Sequence, residues 1–353
     1  MTGDGKRRPV PTRPVSGLGP HGEFAASADQ LIISDDAATR ALAARFTVAL
    51  VLHTIDSDWS KLQVAGIRAT LARFGANLLE IVDCGFRPDR QVEALEALVE
   101  RRPDAIISIP VDNRLAANAH RRIAEADIRL VLMDNAPMGM VVRKDYVSVV
   151  SADNFGNGEI AAEILADHVP TGGTACVVGF DADFYVTNER DLGFRKWLRE
   201  HRPDVRLAHV GFDEPERAGV AVLAELDAGR SADALFVVWD EPALVVAGAL
   251  RAAGRSMPMT TVDLGSGIAL EIARGDLVKG AGAQLPYDQG VAEAMAAIMA
   301  LAGDEPPAWI VLPALAVTRD NVIEAYEAVW HETAPLRLRQ LVLGGVDDPT
   351  RVG

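Results

Sequence analysis

The loop formed by residues 53–59 (HTIDSDW) gathers polar side chains around one large aromatic residue. It follows residues 48–52, an unbroken apolar run that is typical of a central parallel strand buried on both faces. Leu62, Ile67 and Leu71 then recur at about helical spacing. A loop between a strand and a helix lies at the carboxyl edge of an open α/β sheet, where ligands bind. Its carboxylates, hydroxyls and indole suit a neutral polyhydroxy molecule.

Comparable side chains follow most of the other predicted strands. They are Asp112, Asp134, Asn135, Asp153, Asp181, Trp239, Asp240, Asp263, Gln284 and Tyr287. Two such sheet edges facing each other would form a cleft, in which carboxylates and amides bind vicinal hydroxyls and aromatic faces pack on C–H surfaces. Any one of these Asp residues could instead be the N-cap of the next helix. The recurrence at nearly every strand end favours binding.

Signatures of chemistry are scarce. The glycines at Gly265 and Gly267, and at Gly280 and Gly282, lack the remaining glycines of a dinucleotide or phosphate loop. The sequence shows no nucleophile elbow and no metal-spaced His or Cys cluster, and His53 fits a hydrogen-bonded loop residue better than a metal ligand. We therefore predict a protein without catalytic residues, cofactor or metal.

Composition sets the outer limits. The chain has 353 residues, enough for two domains, and a formal net charge of −15, which argues against a nucleic-acid partner. Its apolar runs are too short for membrane insertion. The two cysteines, Cys84 and Cys176, are expected in different lobes without a disulfide.

Strand and helix patterns alternate along most of the chain, which predicts an α/β fold with two doubly wound parallel-sheet lobes. After a short helix at residues 35–45, strands are predicted at residues 78–82, 105–109, 130–133, 175–180, 207–210, 234–238, 260–262 and 278–283. Helices are predicted at residues 91–100, 115–124, 158–167, 190–200, 218–226, 243–253, 268–273 and 291–301. The Pro- and Gly-rich residues 1–22 are predicted to be disordered and the chain end to be a loose tail.

From about residue 47 to residue 321 the chain resembles the ribose-type family of periplasmic sugar-binding proteins, the solute receptors of ABC importers. The resemblance is carried by VALVLHTIDSDWSKLQVAG, IISIPVD, LVLMDN, SADNFGNGEIAAEIL, NERDLGF, FVVWDEPALVVAGALRAAG and AQLPYDQG. The first of these, together with VWDEPA and AQLPYDQG, is most similar to receptors thought to take pentoses and sugar alcohols.

The resemblance implies a type I periplasmic-binding-protein-like fold, with two lobes joined by a three-stranded hinge. After an N-terminal extension at residues 1–45, partly disordered, the N-terminal lobe would comprise residues 46–151 and 286–313. The C-terminal lobe would comprise residues 152–285 and 314–335, and residues 336–353 would form a tail. Hinge strands are expected near residues 151–153, 284–286 and 312–314.

The family's ligand positions fall here on His53, Ser57, Trp59, Ser60, Asp134, Asn188, Phe212, Trp239, Asp263 and Gln284. Further candidates are Asp58, Asp112, Asn135, Phe184, Arg190 and Asp240. Asn188 stands where an arginine is usual, and Ile109 and Trp239 replace asparagines. Fewer guanidinium groups and more aromatic surface favour a sugar alcohol or a pentose other than ribose.

By this resemblance the protein would capture a small neutral monosaccharide or sugar alcohol, deliver it to an ABC importer permease, and be a monomer. The alternatives are a cytoplasmic sugar sensor of the same fold and a carbohydrate-converting enzyme. Residues 1–45 are too rich in Pro and Gly for the helix-turn-helix of a lactose-repressor-type regulator. The resemblance indicates the cell envelope or periplasm, whereas the chain shows no export signal and would be cytoplasmic if its start is genuine.

Overall fold

The computed structural model describes residues 12–15, 18–19 and 21–343. Its strands are β1 (Ala26–Ser27), β2 (Thr47–Leu52), β3 (Asn77–Asp83), β4 (Ala105–Ser108), β5 (Arg129–Met133), β6 (Ser148–Ala152), β7 (Thr174–Phe180), β8 (Arg206–Phe212), β9 (Ala234–Val237), β10 (Met259–Val262), β11 (Val278–Ala283), β12 (Trp309–Leu312) and β13 (Leu315–Thr318). Its α-helices are α1 (Asp35–Ala44), α2 (Asp58–Arg73), α3 (Pro88–Arg101), α4 (Ala117–Glu125), α5 (Asn154–Ala166), α6 (Tyr185–His201), α7 (Ala218–Asp227), α8 (Asp240–Ala252), α9 (Ser266–Arg274), α10 (Pro286–Ala302), α11 (Val322–Trp330) and α12 (Leu336–Leu343).

Two sheets form the centres of two lobes. The first has the spatial order β1-β12-β6-β5-β4-β2-β3 and is parallel throughout. The second has the order β13-β11-β10-β9-β7-β8, in which only the edge pair β13–β11 is antiparallel. The predicted fold class, two parallel α/β lobes, is confirmed.

The inner strands of the first sheet are buried because helices cover both of its faces. Val48, Leu50 and Leu52 of β2 belong to one apolar cluster, whereas Ala49 and Val51 belong to a second cluster on the opposite face. All five side chains are fully buried. An uninterrupted apolar strand is the expected sequence for this environment, in contrast to the alternating pattern of a half-exposed strand.

Between β2 and α12 the chain passes between the lobes three times, after β6, after β11 and between β12 and β13. Helix α5 follows β6 and packs on β11 of the second sheet, whereas α10 follows β11 and packs on α2 of the first lobe. These crossings form the three-stranded hinge. They lie near the predicted lobe boundaries, and the boundaries themselves stay a prediction.

Glycines allow two helix pairs to pack unusually closely. A Cβ atom on Gly66 of α2 would lie 2.1 Å from the carbonyl oxygen of Tyr287, and one on Gly290 of α10 would lie 2.3 Å from that of Gln63. In the second lobe, a Cβ on Gly158 of α5 would lie 2.0 Å from the carbonyl oxygen of Arg190 on α6. Such contacts with backbone atoms leave no room for any other residue.

Both chain ends differ from expectation where they are described. Thr12 forms a β-bridge with Leu315, so the prediction of disorder is wrong at this position. Residues 336–343, predicted as part of a loose tail, form α12, in which Leu338 is 1% exposed. Residues 1–11, 16–17, 20 and 344–353 lie outside the described residues, and so do the predictions made for them.

The sequence patterns also missed whole elements. Strands β6, β12 and β13 were expected only as short hinge connections, and α11 was not predicted. The three strands are only four or five residues long, too short for periodicity to separate a strand from a loop. In the described part of the chain, no helix is both long and apolar enough to cross a bilayer.

Candidate functional site

The carboxyl ends of the strands in both lobes face a common cleft. It holds about 600 Å³ of space between atoms, part of it open to solvent. It is lined by His53, Thr54, Ser57, Trp59, Phe86, Ile109 and Asp134 of the first lobe, by Phe180, Phe184, Val186, Thr187, Arg190, Trp239, Asp240, Glu241 and Asp263 of the second, and by Gln284 at the hinge. The cleft therefore lies where open α/β sheets bind ligands.

The loop after β2 is held by the start of α2. Ser57 is the N-cap of this helix, and its Oγ accepts a hydrogen bond from the Ser60 N–H at 3.0 Å. The Ser57 hydroxyl also donates to Ser60 Oγ at 2.9 Å. Trp59 thereby lies in the first turn of α2, with its indole at the cleft, while Ser60 is fully buried behind it.

His53 lies in an aromatic corner of the first-lobe wall. Its ring centroid is 4.8 Å from that of Phe86 and 5.4 Å from that of Trp59, both in edge-to-face arrangements. Burial lowers the pKa of His53 to about 4, so the imidazole is neutral at neutral pH. Its Nδ1 has no hydrogen-bond partner. The ring contributes apolar surface and no positive charge.

A chain of hydrogen bonds crosses the cleft from one lobe to the other. The Trp59 indole N–H donates to Gln284 Oε1 at 3.2 Å, and Gln284 Nε2 donates to Asp263 Oδ1 at 2.6 Å. Arg190 Nη1 forms an ion pair with Asp263 Oδ2 at 3.2 Å. These groups are fixed in orientation before any ligand is added, because each already has a partner.

Arg190 has partners on three sides. Its Nε donates to Asn154 Oδ1 at 3.1 Å, and its Nη1 donates to the Val238 carbonyl oxygen at 2.9 Å as well as to Asp263. Its side chain is 4% exposed. A buried guanidinium held in this way presents its remaining N–H groups in one direction.

A second contact between the lobes shows that they are closed over the cleft. Asp58 Oδ2, in the first turn of α2, accepts hydrogen bonds from the Ser266 N–H at 2.9 Å and the Ser266 hydroxyl at 2.8 Å. Ser266 begins α9 of the second lobe, and a carboxylate there interacts favourably with the helix dipole. Asp58 joins the lobes and does not line the cleft.

Two acids of the site, Asp134 and Asp263, have left-handed backbones, with φ of 61° and 76°. This conformation is uncommon for residues with a side chain, although Asp tolerates it better than most, and it occurs frequently at ligand sites. In Asp134 it follows directly after β5, and in Asp263 directly after β10. The turn aims each carboxylate from a strand end into the cleft.

Asp134 belongs to a buried polar network of the first lobe. Its Oδ1 accepts from Ser151 Oγ at 3.0 Å and from Gln289 Nε2 at 3.2 Å. Burial raises the pKa of Asp134 to about 6, although the Ser151 hydrogen bond opposes this. Glu293 accepts from the same Gln289 amide at 3.3 Å, and burial raises its pKa well above the usual value.

The second-lobe wall combines aromatic surface with carboxylates at the start of α8. Trp239 packs edge-to-face on Phe180 at 5.5 Å and against Phe212 at 5.2 Å. Asp240 Oδ2 accepts from the Gly265 N–H at 2.9 Å. Burial, reinforced by the nearby Asp263 carboxylate, raises the pKa of Asp240 well above its usual value. Glu241 follows at the exposed mouth of the cleft.

The structure brings most of the predicted ligand residues to this cleft. They are His53, Ser57, Trp59, Asp134, Phe184, Arg190, Trp239, Asp240, Asp263 and Gln284. Ser60 and Phe212 lie directly behind the lining, under Ser57 and Trp239. Their roles in binding a ligand stay predictions.

Four predicted residues are used elsewhere. Asp112 Oδ1 accepts from the N–H groups of Arg114 and Leu115, so it caps a turn, and Asn135 donates to Asn113 Oδ1 at 2.5 Å. Asp58 is the lobe contact described above. Asn188 is exposed and donates to Asp183 Oδ1 at 2.9 Å. Arg190 therefore supplies a guanidinium to the cleft, which the expectation of fewer guanidinium groups, based on Asn188, did not count.

Several lining residues were absent from the predicted site: Thr54, Phe86, Ile109, Phe180, Val186, Thr187 and Glu241. Thr54 and Glu241 are sequence neighbours of the predicted residues His53 and Asp240. Their position after a strand end could therefore have identified them from the sequence. Phe86 comes from the loop after β3, three residues beyond Asp83 at the end of that strand, so the same signal was present there. In the described ranges, no group of three or more His, Cys, Asp or Glu could hold a metal ion. Cys84 and Cys176 are free and buried.

The proteins to which this chain is similar include sugar-binding proteins of ABC transporters. The sequence model of the family described as periplasmic binding protein domain matches residues 48–305. The ribose import binding protein of Escherichia coli strain K12 is 26% identical over 214 residues, which cover 60% of this chain and 70% of that protein.

Solved structures share the fold. A solute-binding protein of an ABC transporter from Agrobacterium vitis, bound with alpha-D-tagatopyranose, superposes with a TM-score of 0.73 at 23% identity, covering 82% of this chain and 99% of that one. A carbohydrate transporter solute-binding protein from Agrobacterium radiobacter, in complex with D-arabinose, gives 0.72 at 20% identity, covering 80% and 97%. The chain belongs to the periplasmic binding protein domain family, and the expected resemblance to its ribose-type sugar-binding members is confirmed.

Proposed function

We propose that this protein captures a monosaccharide or sugar alcohol between its lobes and delivers it unchanged to an ABC importer. The observation that carries the proposal is the hydrogen-bonded chain Trp59–Gln284–Asp263–Arg190, which crosses the closed cleft. Vicinal hydroxyls can donate to fixed carboxylates and accept from a fixed guanidinium, and such charge-assisted bonds are the stronger ones. The aromatic faces on both walls provide surface for the C–H groups of a sugar.

The lobe contacts explain how binding and closure would be coupled. Asp58 of the first lobe and Ser266 of the second are in contact only when the lobes approach. A ligand that touches both walls adds contacts to the closed state alone, and it therefore shifts the population toward closure. An importer that recognises the closed lobes would then receive loaded protein. The family members are periplasmic receptors, and we propose the same location, and a monomer, for this chain.

The ligand can be identified by thermal shift, with pentoses, hexoses and polyols tested singly. A ligand that binds only the native state raises the free energy of unfolding by mass action, by about 2.7 kcal/mol at a hundredfold excess over Kd. The melting temperature rises with it. We expect at least one pentose or sugar alcohol to do so and to change tryptophan emission, because Trp59 and Trp239 line opposite walls. If no compound of these classes stabilises the protein, the proposal fails.

Phosphorylated sugars serve as the negative control for this ligand screen. Asp134, Asp240, Glu241 and Asp263 line the cleft with Arg190 as their counter-ion, so a phosphate dianion would meet like charge at low dielectric. We expect a pentose phosphate to bind more weakly than its parent pentose. The reverse order would contradict this description of the cleft.

A further inference from the structure

The first described residues of the chain are bonded to the second lobe. Thr12 forms an antiparallel bridge with Leu315 of the edge strand β13, and the Arg13 N–H donates to the Ala314 carbonyl oxygen at 3.4 Å. The Arg13 side chain forms an ion pair with Glu163 of α5. The chain therefore starts its described path on the outer edge of the second sheet.

About ten residues later the same segment is bonded to the first lobe. Strand β1 adds to the edge of the first sheet, with Ala26 opposite Ile310 and Ser27 opposite Val311 of β12. Val15 and Ala25 pack against the buried cluster that contains Trp309. The edge strands β12 and β13 flank one of the three hinge crossings, so the segment spans that crossing from the outside.

The middle of the segment lies over a crevice between the lobes. Val15 and Leu18 line it together with Ser151, Trp309 and Val311 of the first lobe and with Phe155, Tyr185 and Glu189 of the second. Asn154, in the same crevice, accepts the hydrogen bond from Arg190, which holds Asp263 in the ligand cleft. The segment thus lies behind the hinge, one residue removed from the site.

We propose that this segment, the described residues between Thr12 and Ser27, is a strap that restrains the hinge and stabilises the closed arrangement of the lobes. The strap is attached to both sheet edges while Asp58 and Ser266 hold the lobes together. Rotation about the hinge would change the separation of the two attachment sites, and both sets of contacts are present here with the lobes closed. Contacts made in one state only shift the equilibrium toward that state.

Apparent ligand affinity scales with the fraction of molecules in the binding-competent state, so a strap that raises this fraction also tightens binding. The open fraction of the ligand-free protein is a direct measure of what the strap does. This measurement does not depend on whether the proposed sugar is the ligand. Leu115→Cys and Val220→Cys place labels at exposed positions, 67% and 69% exposed, after strand ends of the first and second lobe. Burial raises the pKa of both native thiols, Cys84 and Cys176, to about 11, which keeps them unlabelled.

The distance between the two labels is measured by single-molecule energy transfer in three proteins: the full chain, a chain lacking residues 1–11, and a chain lacking residues 1–22. The first deletion leaves the strap, whereas the second removes Thr12, Arg13, Val15 and Leu18 but keeps β1. We expect the longer deletion to raise the open fraction about threefold or more, and the shorter deletion to leave it unchanged.

Equal distance distributions in the two deletion variants would overturn the proposal. If the longer deletion does not fold, as judged by circular dichroism and melting, Arg13→Ala combined with Val15→Ala provides the same comparison within the full-length chain. An increase in the open fraction of that double variant, without a change in secondary structure, would support the strap. An unchanged open fraction would exclude it.

Discussion

The two walls of the cleft differ in what they offer a ligand. The first-lobe wall presents His53, Trp59, Phe86 and Ile109 with a single carboxyl, Asp134, whereas the second-lobe wall holds Arg190, Asp240, Glu241 and Asp263. The first wall is therefore mainly a surface, whereas the second combines the aromatic surface of Phe180, Phe184 and Trp239 with a set of directed charged groups. Discrimination between hydroxyl arrangements belongs to the second wall, since charged hydrogen bonds depend on geometry, whereas packing depends mainly on area.

Removing Arg190 tests the second wall most severely. Arg190→Ala leaves Asp263 buried beside Asp240 without its counter-ion, and breaking such a pair costs about 3–5 kcal/mol. We expect that loss of stability in denaturant unfolding, together with at least a hundredfold weaker ligand binding. Arg217→Ala is the control, because Arg217 is 64% exposed and pairs with Asp213 on the surface of the same lobe. Equal stability of the two variants would contradict the assigned role.

The pH dependence of stability isolates the single carboxyl of the first wall. Because burial raises the pKa of Asp134 from 3.8 to about 6, the folded protein binds an extra proton between these values. Its contribution to stability is thus present below about pH 4 and is lost as the pH rises through 6, on the order of 2–3 kcal/mol in total.

Asp134→Asn removes this contribution and retains the shape. We expect its stability relative to the parent to rise between pH 4 and 6, measured by urea unfolding at each pH. The subtraction also removes the opposite effect of His53 and His120, whose pKa values burial lowers to about 4 in both proteins. A pH-independent difference between the two proteins would show that Asp134 titrates normally.

Asp263→Asn separates the charge of the second wall from its backbone geometry. Asn tolerates the left-handed φ of 76° at this position, whereas Ala would add strain, so Asn is the better probe. We expect a loss of about 1.5–3 kcal/mol in binding, roughly ten- to a hundredfold in Kd. Titration with the best ligand of the thermal-shift set measures it. Unchanged binding would reduce Asp263 to a structural partner of Arg190.

Trp59→Phe tests the first wall with the smallest change. Phe keeps an aromatic face but removes the indole N–H that donates to Gln284 at 3.2 Å. One neutral hydrogen bond contributes about 0.5–1.5 kcal/mol, which corresponds to about two- to tenfold in Kd. Trp59→Ala, which also removes the surface, should lose more. If Trp59→Phe and Trp59→Ala bind the ligand with the same Kd, the aromatic surface at this position does not contribute to binding.

Local signals were sufficient for the fold and for most of the cleft. Strands such as β2 and β9 are apolar runs with polar residues soon after them, so both the element and the site end could be predicted. It was harder to predict which of two nearby residues, Asn188 or Arg190, lines the cleft. Helix α6 starts at Tyr185, five residues before its predicted start, which places Asn188 and Arg190 about 200° apart around the helix. One of the two faces solvent, and the sequence alone did not show which.

Other differences arise because one residue type serves two purposes. Asp112 and Asp240 both follow strands, and both accept backbone N–H bonds, but only Asp240 also lines the cleft. Capping and ligand binding require the same carboxylate, so composition cannot separate them. The pairing of Thr12 with Leu315 lies beyond any local signal, because its partner is about 300 residues away along the chain.

The close glycine contacts of α2 with α10 and of α5 with α6 have a consequence for how new specificities could arise. Both pairs carry wall residues, Trp59 on α2 and Arg190 on α6, and neither pair has room to slide. Replacements within the walls can therefore change the preferred sugar on an unaltered backbone, either in a laboratory redesign or during divergence from a common ancestor. One methyl group at Gly158, by contrast, would push α6 outward and displace Arg190 without touching the cleft.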